Sequence, residues 1–234
     1  MVLRKVNKKM AMDSRRKLVS ALDPKSPITE QYRTIRTNIQ FASIDKELNT
    51  IMVTSAGPGD GKSTTAANLS VTFAQQGKRV LLVDADLRKP TVHYTFNLTN
   101  TFGLTSVLTK QQSLEESFVE SSISDLSILP SGPVPPNPAE LLSSVSMDTF
   151  LKQAMELFDH VVFDTPPVLA VADAQILANK CDGVILVVSS GKTEIEEAAK
   201  AKEILISSKG KLLGAVLNNK KLTDSDYYYY YAKK

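Results

Sequence analysis

The stretch that most constrains this chain is "TIMVTSAGPGDGKSTTAAN", residues 50–68. An apolar, β-branched run enters a turn with three glycines, and beyond Lys62 no glycine or proline interrupts the chain until Gly77. Gly57, Gly59 and Gly61 let the backbone curl until successive N–H groups face one point, and a helix starting after the turn adds its positive end. Such a concavity suits a phosphate. Lys62 is then placed to neutralise β- and γ-phosphates and the Ser63 hydroxyl to ligate Mg²⁺. Asp60 and Thr64 complete the stretch expected to line a nucleotide. The strict phosphate-loop pattern begins with glycine, and here Ala56 stands in that position, a relaxed form.

A strand, loop and helix joined in this way imply a parallel sheet wrapped by helices. The rest of the chain agrees: short apolar runs at 50–55, 79–85, 126–131, 160–165, 183–189 and 212–218 alternate with helical patterns, and strands apolar throughout are expected to be covered on both faces. The fold predicted is α/β, a P-loop NTPase-like, mostly parallel sheet with helices on both faces. "SMDTFLKQAMELF" puts Met147, Phe150, Leu151, Ala154, Leu157 and Phe158 on one helical stripe. The proline-rich "PSGPVPPNPAELL" reads as a rigid loop that turns helical only at about Pro138.

Two further runs end in acid. "LLVDADLRKP" brings Asp84 and Asp86 to a strand's carboxyl end, the edge where open α/β sheets bind ligands, and "VVFDTPP" brings Asp164 there. Three carboxylates beside a phosphate loop read as a magnesium site shared with Ser63, some of them acting through water because Mg²⁺ retains its waters. The alternative for Asp84 and Asp86 is a pair of helix caps or solvated loop residues. Arg88 and Lys89 either steady transferred charge or are simply solvated. His93 and His160 stand alone and read as structural.

Composition narrows the partners. The net charge of +3 is too small to imply nucleic-acid binding. One cysteine, Cys181, excludes an internal disulfide framework. No apolar run approaches the ~20 residues of a spanning helix. Residues 1–17 hold seven Lys or Arg against one Asp, within a basic arm assigned to residues 1–25 that carries no export signal. "SPITEQYRTIRTNIQFA" reads as a helix over 26–42, with Ser26 as N-cap and Pro27 at its first position. Ile28, Tyr32, Ile35 and Ile39 form its apolar stripe, and Glu30 and Arg33 point away from it with Arg36 at the flank.

The chain ends "DSDYYYYYAKK". Neither strand nor helix can bury five adjacent rings together, so Tyr227, Tyr228, Tyr229, Tyr230 and Tyr231 are expected in an exposed tail, residues 223–234.

With these motifs in hand, residues 20–234 resemble the bacterial tyrosine kinases of exopolysaccharide and capsule synthesis. That family's relaxed phosphate loop is matched by Ala56 to Ser63, its apolar-D-x-D-x-R element by Asp84, Asp86 and Arg88, its apolar-D-x-x-P element by Asp164 and Pro167, and its tyrosine cluster by Tyr227 to Tyr231. The resemblance implies Mg²⁺-ATP as phosphoryl donor, with Lys62, Asp84, Asp86 and Arg88 as the catalytic set and Asp84 as candidate base. It implies autophosphorylation of the tail between subunits. It also assigns Glu30, Arg33 and Arg36, spaced E-x-x-R-x-x-R, to the interface of a homo-oligomeric ring; an intrahelical Glu30–Arg33 pair is the plainer reading. Lacking a spanning segment, the chain resembles the separate cytoplasmic type, peripheral at the inner membrane face through a membrane-embedded activator. Its protein substrates would be phosphorylated on tyrosine, and a cognate phosphatase would reset the tail.

Two other readings remain open at this point: a non-kinase ATPase of the septum-placement or partition type, and a protein that ATP merely switches between assembly states. The first usually has a second lysine five residues before the main one. Gly57 stands there instead.

Overall fold

The computed structural model describes residues 18–42 and 47–221. In chain order the elements are α1 (Val19–Leu22), α2 (Pro27–Phe41), β1 (Thr50–Ser55), α3 (Lys62–Ala74), β2 (Val80–Asp84), α4 (Val92–Phe96), α5 (Leu104–Leu108), α6 (Leu114–Ser117), β3 (Val119–Glu120) and β4 (Leu126–Leu129). There follow α7 (Pro138–Ser143), α8 (Val145–Leu157), β5 (His160–Asp164), α9 (Asp173–Ala178), β6 (Gly183–Ser189), α10 (Ile195–Ser207) and β7 (Leu212–Asn218). The seven strands pair in the order β3-β4-β2-β5-β1-β6-β7, parallel throughout except for β3, which runs against β4.

Alternation along the central strands builds two cores. Met52, Leu81, Val83, Val161 and Phe163 face α8, α9 and α10, where Met147, Phe150, Ala154, Leu177, Ala201 and Leu205 meet them. Ile51, Val53, Val80, Leu82 and Val162 face α2 and α3, packing on Ile39, Leu69, Val71 and Phe73. The helix after the phosphate loop is therefore sunk into the protein, with every residue of α3 except Thr64 buried. That burial fixes where the loop's amides point.

Three expectations need correction. Among the described residues β7 is not covered on both faces: it is the last strand of the sheet, none of its residues is buried, and Leu217 is 57% exposed. On α2, Tyr32 and Ile39 are buried but Ile28 is exposed, because it borders the open groove beside β7, while its neighbour Thr29 in the same turn is buried. Finally, residues 18–25 do not belong to a basic arm. Ser20 in α1 is fully buried; its N–H donates to Asn68 Oδ1 at 2.9 Å and its carbonyl accepts from Gln75 Nε2 at 2.8 Å, tying the segment to α3. The Ser26 cap of α2 is present, its hydroxyl accepting from Thr29 N–H at 3.1 Å. Arm residues 1–17 and tail residues Tyr227 to Tyr231 lie outside the described residues.

Candidate active site

β1 delivers the chain to the phosphate loop, and Gly61 precedes the first helical residue, Lys62, with φ of 99°. Gly59 also has positive φ, 77°, so two residues of the turn need a conformation open mainly to glycine. At Gly61 space forbids a side chain as well: a Cβ there would lie 1.9 Å from Asn218 Nδ2.

The site's charge is concentrated on Lys62. Its ammonium bridges Asp86 Oδ2 at 3.2 Å and Asp164 Oδ1 at 3.3 Å, and lies 3.3 Å from Ser63 Oγ. Lys62 is nearly buried, and burial disfavours its charge. The carboxylates of Asp164, Asp86 and Asp84 more than compensate, so its pKa is raised and the lysine stays an ammonium.

Asp84 and Asp164 are register partners at the ends of adjacent strands β2 and β5. Their roles differ. Asp84 Oδ2 accepts the N–H groups of Thr91 and Val92, both at 2.9 Å, and Oδ1 accepts from Asp86 N–H at 3.3 Å. It holds the 85–91 loop against the start of α4. Complete burial, then the charge of Asp164, raise its pKa to about 7, against the opposing pull of those amides and Lys62. Asp86 Oδ1 accepts from Lys89 N–H at 3.0 Å. Asp164 Oδ2 is buried and has no hydrogen-bond partner among the described residues.

Among the described residues, no three His, Cys, Asp or Glu side chains are grouped to hold a metal ion. The three aspartates are thus not a ready-made magnesium cage, because Asp84 is turned toward backbone amides and Lys62 lies between the other two. What the residues do fit is the sparser way Mg²⁺ binds beside phosphates, through one or two carboxylates, a hydroxyl and waters. The unpartnered Asp164 Oδ2, with Asp86 and Ser63 close to the same lysine, supplies such a donor set.

Arg88 is neither free nor simply solvated. Its Nε and Nη2 bond both carboxylate oxygens of Asp173, at 2.8 and 2.9 Å, in the fork geometry that suits arginine. Asp173 is fully buried at the start of α9 and raises the Arg88 pKa. Sequence reasoning missed Asp173, and also Lys192 and Asn218, which reach the phosphate loop at Asp60. No local motif marks any of the three. His160 is structural, its Nδ1 lying 3.1 Å from Leu48 O and its ring against Phe73.

On α2, Glu30 and Arg33 pair with each other, and Arg36 donates through Nη1 to the Thr72 carbonyl near the end of α3. One of the three residues assigned to an interface thus also ties α2 to the body of its own subunit.

A family model described as an AAA domain matches residues 48–205. The protein named tyrosine-protein kinase YwqD of Bacillus subtilis (strain 168) is 60% identical over 219 residues, which cover 94% of this chain and 92% of that protein. The chain belongs to the bacterial tyrosine-protein kinases. A putative tyrosine-protein kinase, CapB of Staphylococcus aureus, is 40% identical to this kinase over 90% of its chain and 92% of that protein. The crystal structure of the chimerical protein CapA2B2 superposes with a TM-score of 0.85 at 44% identity, covering 88% of this kinase and 90% of that chain. No helix among the described residues is long and apolar enough to cross a membrane.

Proposed function

We propose that this kinase transfers the γ-phosphoryl group of ATP to tyrosines of its own tail, Tyr227 to Tyr231, presented by a neighbouring subunit, and thereby regulates exopolysaccharide or capsule synthesis. The single observation that carries the reading is the convergence of Lys62, Asp86, Asp164 and Ser63 at the mouth of the phosphate loop. A non-kinase ATPase needs a phosphate loop too, but it does not need five consecutive tyrosines at a chain end.

In this reading Gly57, Gly59, Asp60, Gly61 and Thr64 shape the nucleotide site, and Lys62 turns from its carboxylates toward the β- and γ-phosphates. Asp86, Asp164 and Ser63 would hold Mg²⁺, which when bound neutralises charge on the phosphates. The phenolic oxygen attacks the γ-phosphorus in line, the bond to the β-phosphate oxygen breaks, and ADP departs with that electron pair. The phenolic proton passes to a carboxylate. Asp84 is the candidate base. A pKa of about 7 suits a base working near neutrality, and its Oδ1 keeps only the long contact to Asp86 N–H. Arg88 acts through Asp173, fixing the loop that carries Asp86, without touching the transferred group.

The ring partner would use Glu30, Arg33 and Arg36. A membrane-embedded activator would hold the kinase at the inner membrane face through its cytoplasmic segment, other proteins would be phosphorylated in trans, and a phosphatase would reset the tail.

The test is incubation of the full chain with Mg²⁺-ATP, with and without such a cytoplasmic segment, followed by mass spectrometry. Phosphate on Tyr227 to Tyr231 that disappears in a Lys62→Met variant supports the reading. ATP hydrolysis with no tail phosphate under either condition returns the chain to the ATPase alternative.

A further inference from the structure

The phosphate loop is held from outside by residues more than 130 positions away. Lys192, in the connection between β6 and α10, donates its ammonium to the Pro58 carbonyl and to Asp60 Oδ1, the latter at 3.1 Å. The other oxygen of the same carboxylate, Asp60 Oδ2, accepts from Gly57 N–H at 3.0 Å. Asn218, the last residue of β7, donates Nδ2 to the Asp60 carbonyl at 2.8 Å. Asp60 is only 2% exposed, whereas the Lys192 side chain is 50% exposed.

A buried carboxylate therefore sits inside the loop that must receive the most negative part of the substrate. Lys192 is the cation that pairs with it. We infer that Lys192 is a positioning residue for nucleotide binding, holding the Gly57–Asp60 turn in shape and cancelling the Asp60 charge before the triphosphate arrives. This deepens the ATP-dependent reading above and rests on it. Without the ammonium, Asp60 faces the incoming phosphates as an uncompensated charge, and repulsion between partly buried charges is weakly screened. Lys192 also braces Pro58, the residue before the positive-φ Gly59, so its loss frees the turn.

Both effects act on the bound nucleotide and not on the group in flight, because the bonds of Lys192 go to Pro58 and Asp60 and not to Lys62, Asp86 or Asp164. Uniform loss of binding raises KM and leaves kcat in place.

The experiment uses the full chain, a fluorescent ATP analogue with Mg²⁺, and kinase kinetics. Lys192→Met should weaken analogue binding and raise the KM for ATP about fivefold, with kcat within about twofold of the parent, the scale of a half-exposed ion pair. Lys192→Arg should restore most of the affinity. In an Asp60→Asn background, which keeps an acceptor for Gly57 N–H but removes the charge, Lys192→Met should cost much less. Thermal melting shows whether each variant is folded, and Lys192→Gln provides a second neutral replacement. Unchanged affinity, an equal loss in both Asp60 backgrounds, or a fall in kcat at unchanged KM would each overturn the inference. If the parent protein failed to bind the analogue, the ATP reading would fall with it; parent binding matched by Lys192→Met sinks this inference alone.

Discussion

The centre of the sheet and its β7 flank read alike in sequence and behave differently in the fold. Every residue of β1, β2 and β5 is buried, whereas no residue of β7 is, although "LLGAVLN" is as apolar as "VLLVD". The central strands have neighbours on both sides and helices on both faces. Among the described residues β7 has β6 on one side only, and between it and α2 runs a groove of about 570 Å³ lined by Ile28, Tyr32, Ile35, Val216 and Leu217 among others. The comparison separates two uses of apolar strand. In the centre it makes a rigid platform that delivers Asp84 and Asp164 side by side. At the flank it leaves surface open, yet its last residue, Asn218, still bonds the phosphate loop.

The largest effect should come from the centre's chemistry. Lys62→Met should lower phosphoryl transfer by at least about a hundredfold, read by phosphotyrosine formation under saturating Mg²⁺-ATP. Next comes packing: Leu82→Ala, in the centre, should cost about 2–5 kcal/mol in denaturant unfolding, while Leu217→Ala on the flank should stay within about 0.5 kcal/mol. Comparable losses at the two positions would break the comparison. Breaking the link between Arg88 and Asp173 ranks third. Arg88→Ala should cost about 1–3 kcal/mol, less than a fully buried pair because the Arg88 side chain is 41% exposed. Arg88→Lys, which keeps the charge but loses the fork, should recover only part of it.

The smallest effect is a slope. The folded-state pKa of Asp84, about 7, lies above its ordinary value of 3.8. Folding therefore takes up a proton between those values, and the stability contributed by protonated Asp84 is complete below about pH 4 and lost as pH rises through 7. In nucleotide-free protein, unfolding measured across that window should show wild type losing stability relative to Asp84→Asn as pH increases. Parallel pH curves would mean that Asp84 is an ordinary carboxylate.

Much of the platform was legible in the sequence because it rests on local signals. The strand bounds 50–55, 183–189 and 212–218 are those observed, and Ser26 caps α2 as its spacing predicts. The short elements were not legible. α4, α5, α6, α9 and the two-residue β3 are too brief to show periodicity and are set by their surroundings, as α4 is by its amides on Asp84. Edge position was equally hidden, since a strand's own residues do not say whether a neighbour follows. At the site, acids and lysine were marked by motif, but their partners were not. Asp173 lies 85 residues from Arg88 and Lys192 lies 132 from Asp60, distances that only the fold closes.

The central claim is that the Lys62 site of one subunit phosphorylates the tail of another. The most direct measurement mixes with Mg²⁺-ATP two chains, neither of which can phosphorylate its own tail: a Lys62→Met chain with its tail intact, and a chain with an intact site whose Tyr227 to Tyr231 are all phenylalanine. The account predicts tail phosphate on the Lys62→Met chain in the mixture and on neither chain alone. ATP consumed in the mixture, with the Lys62→Met tail still unmodified, would contradict it.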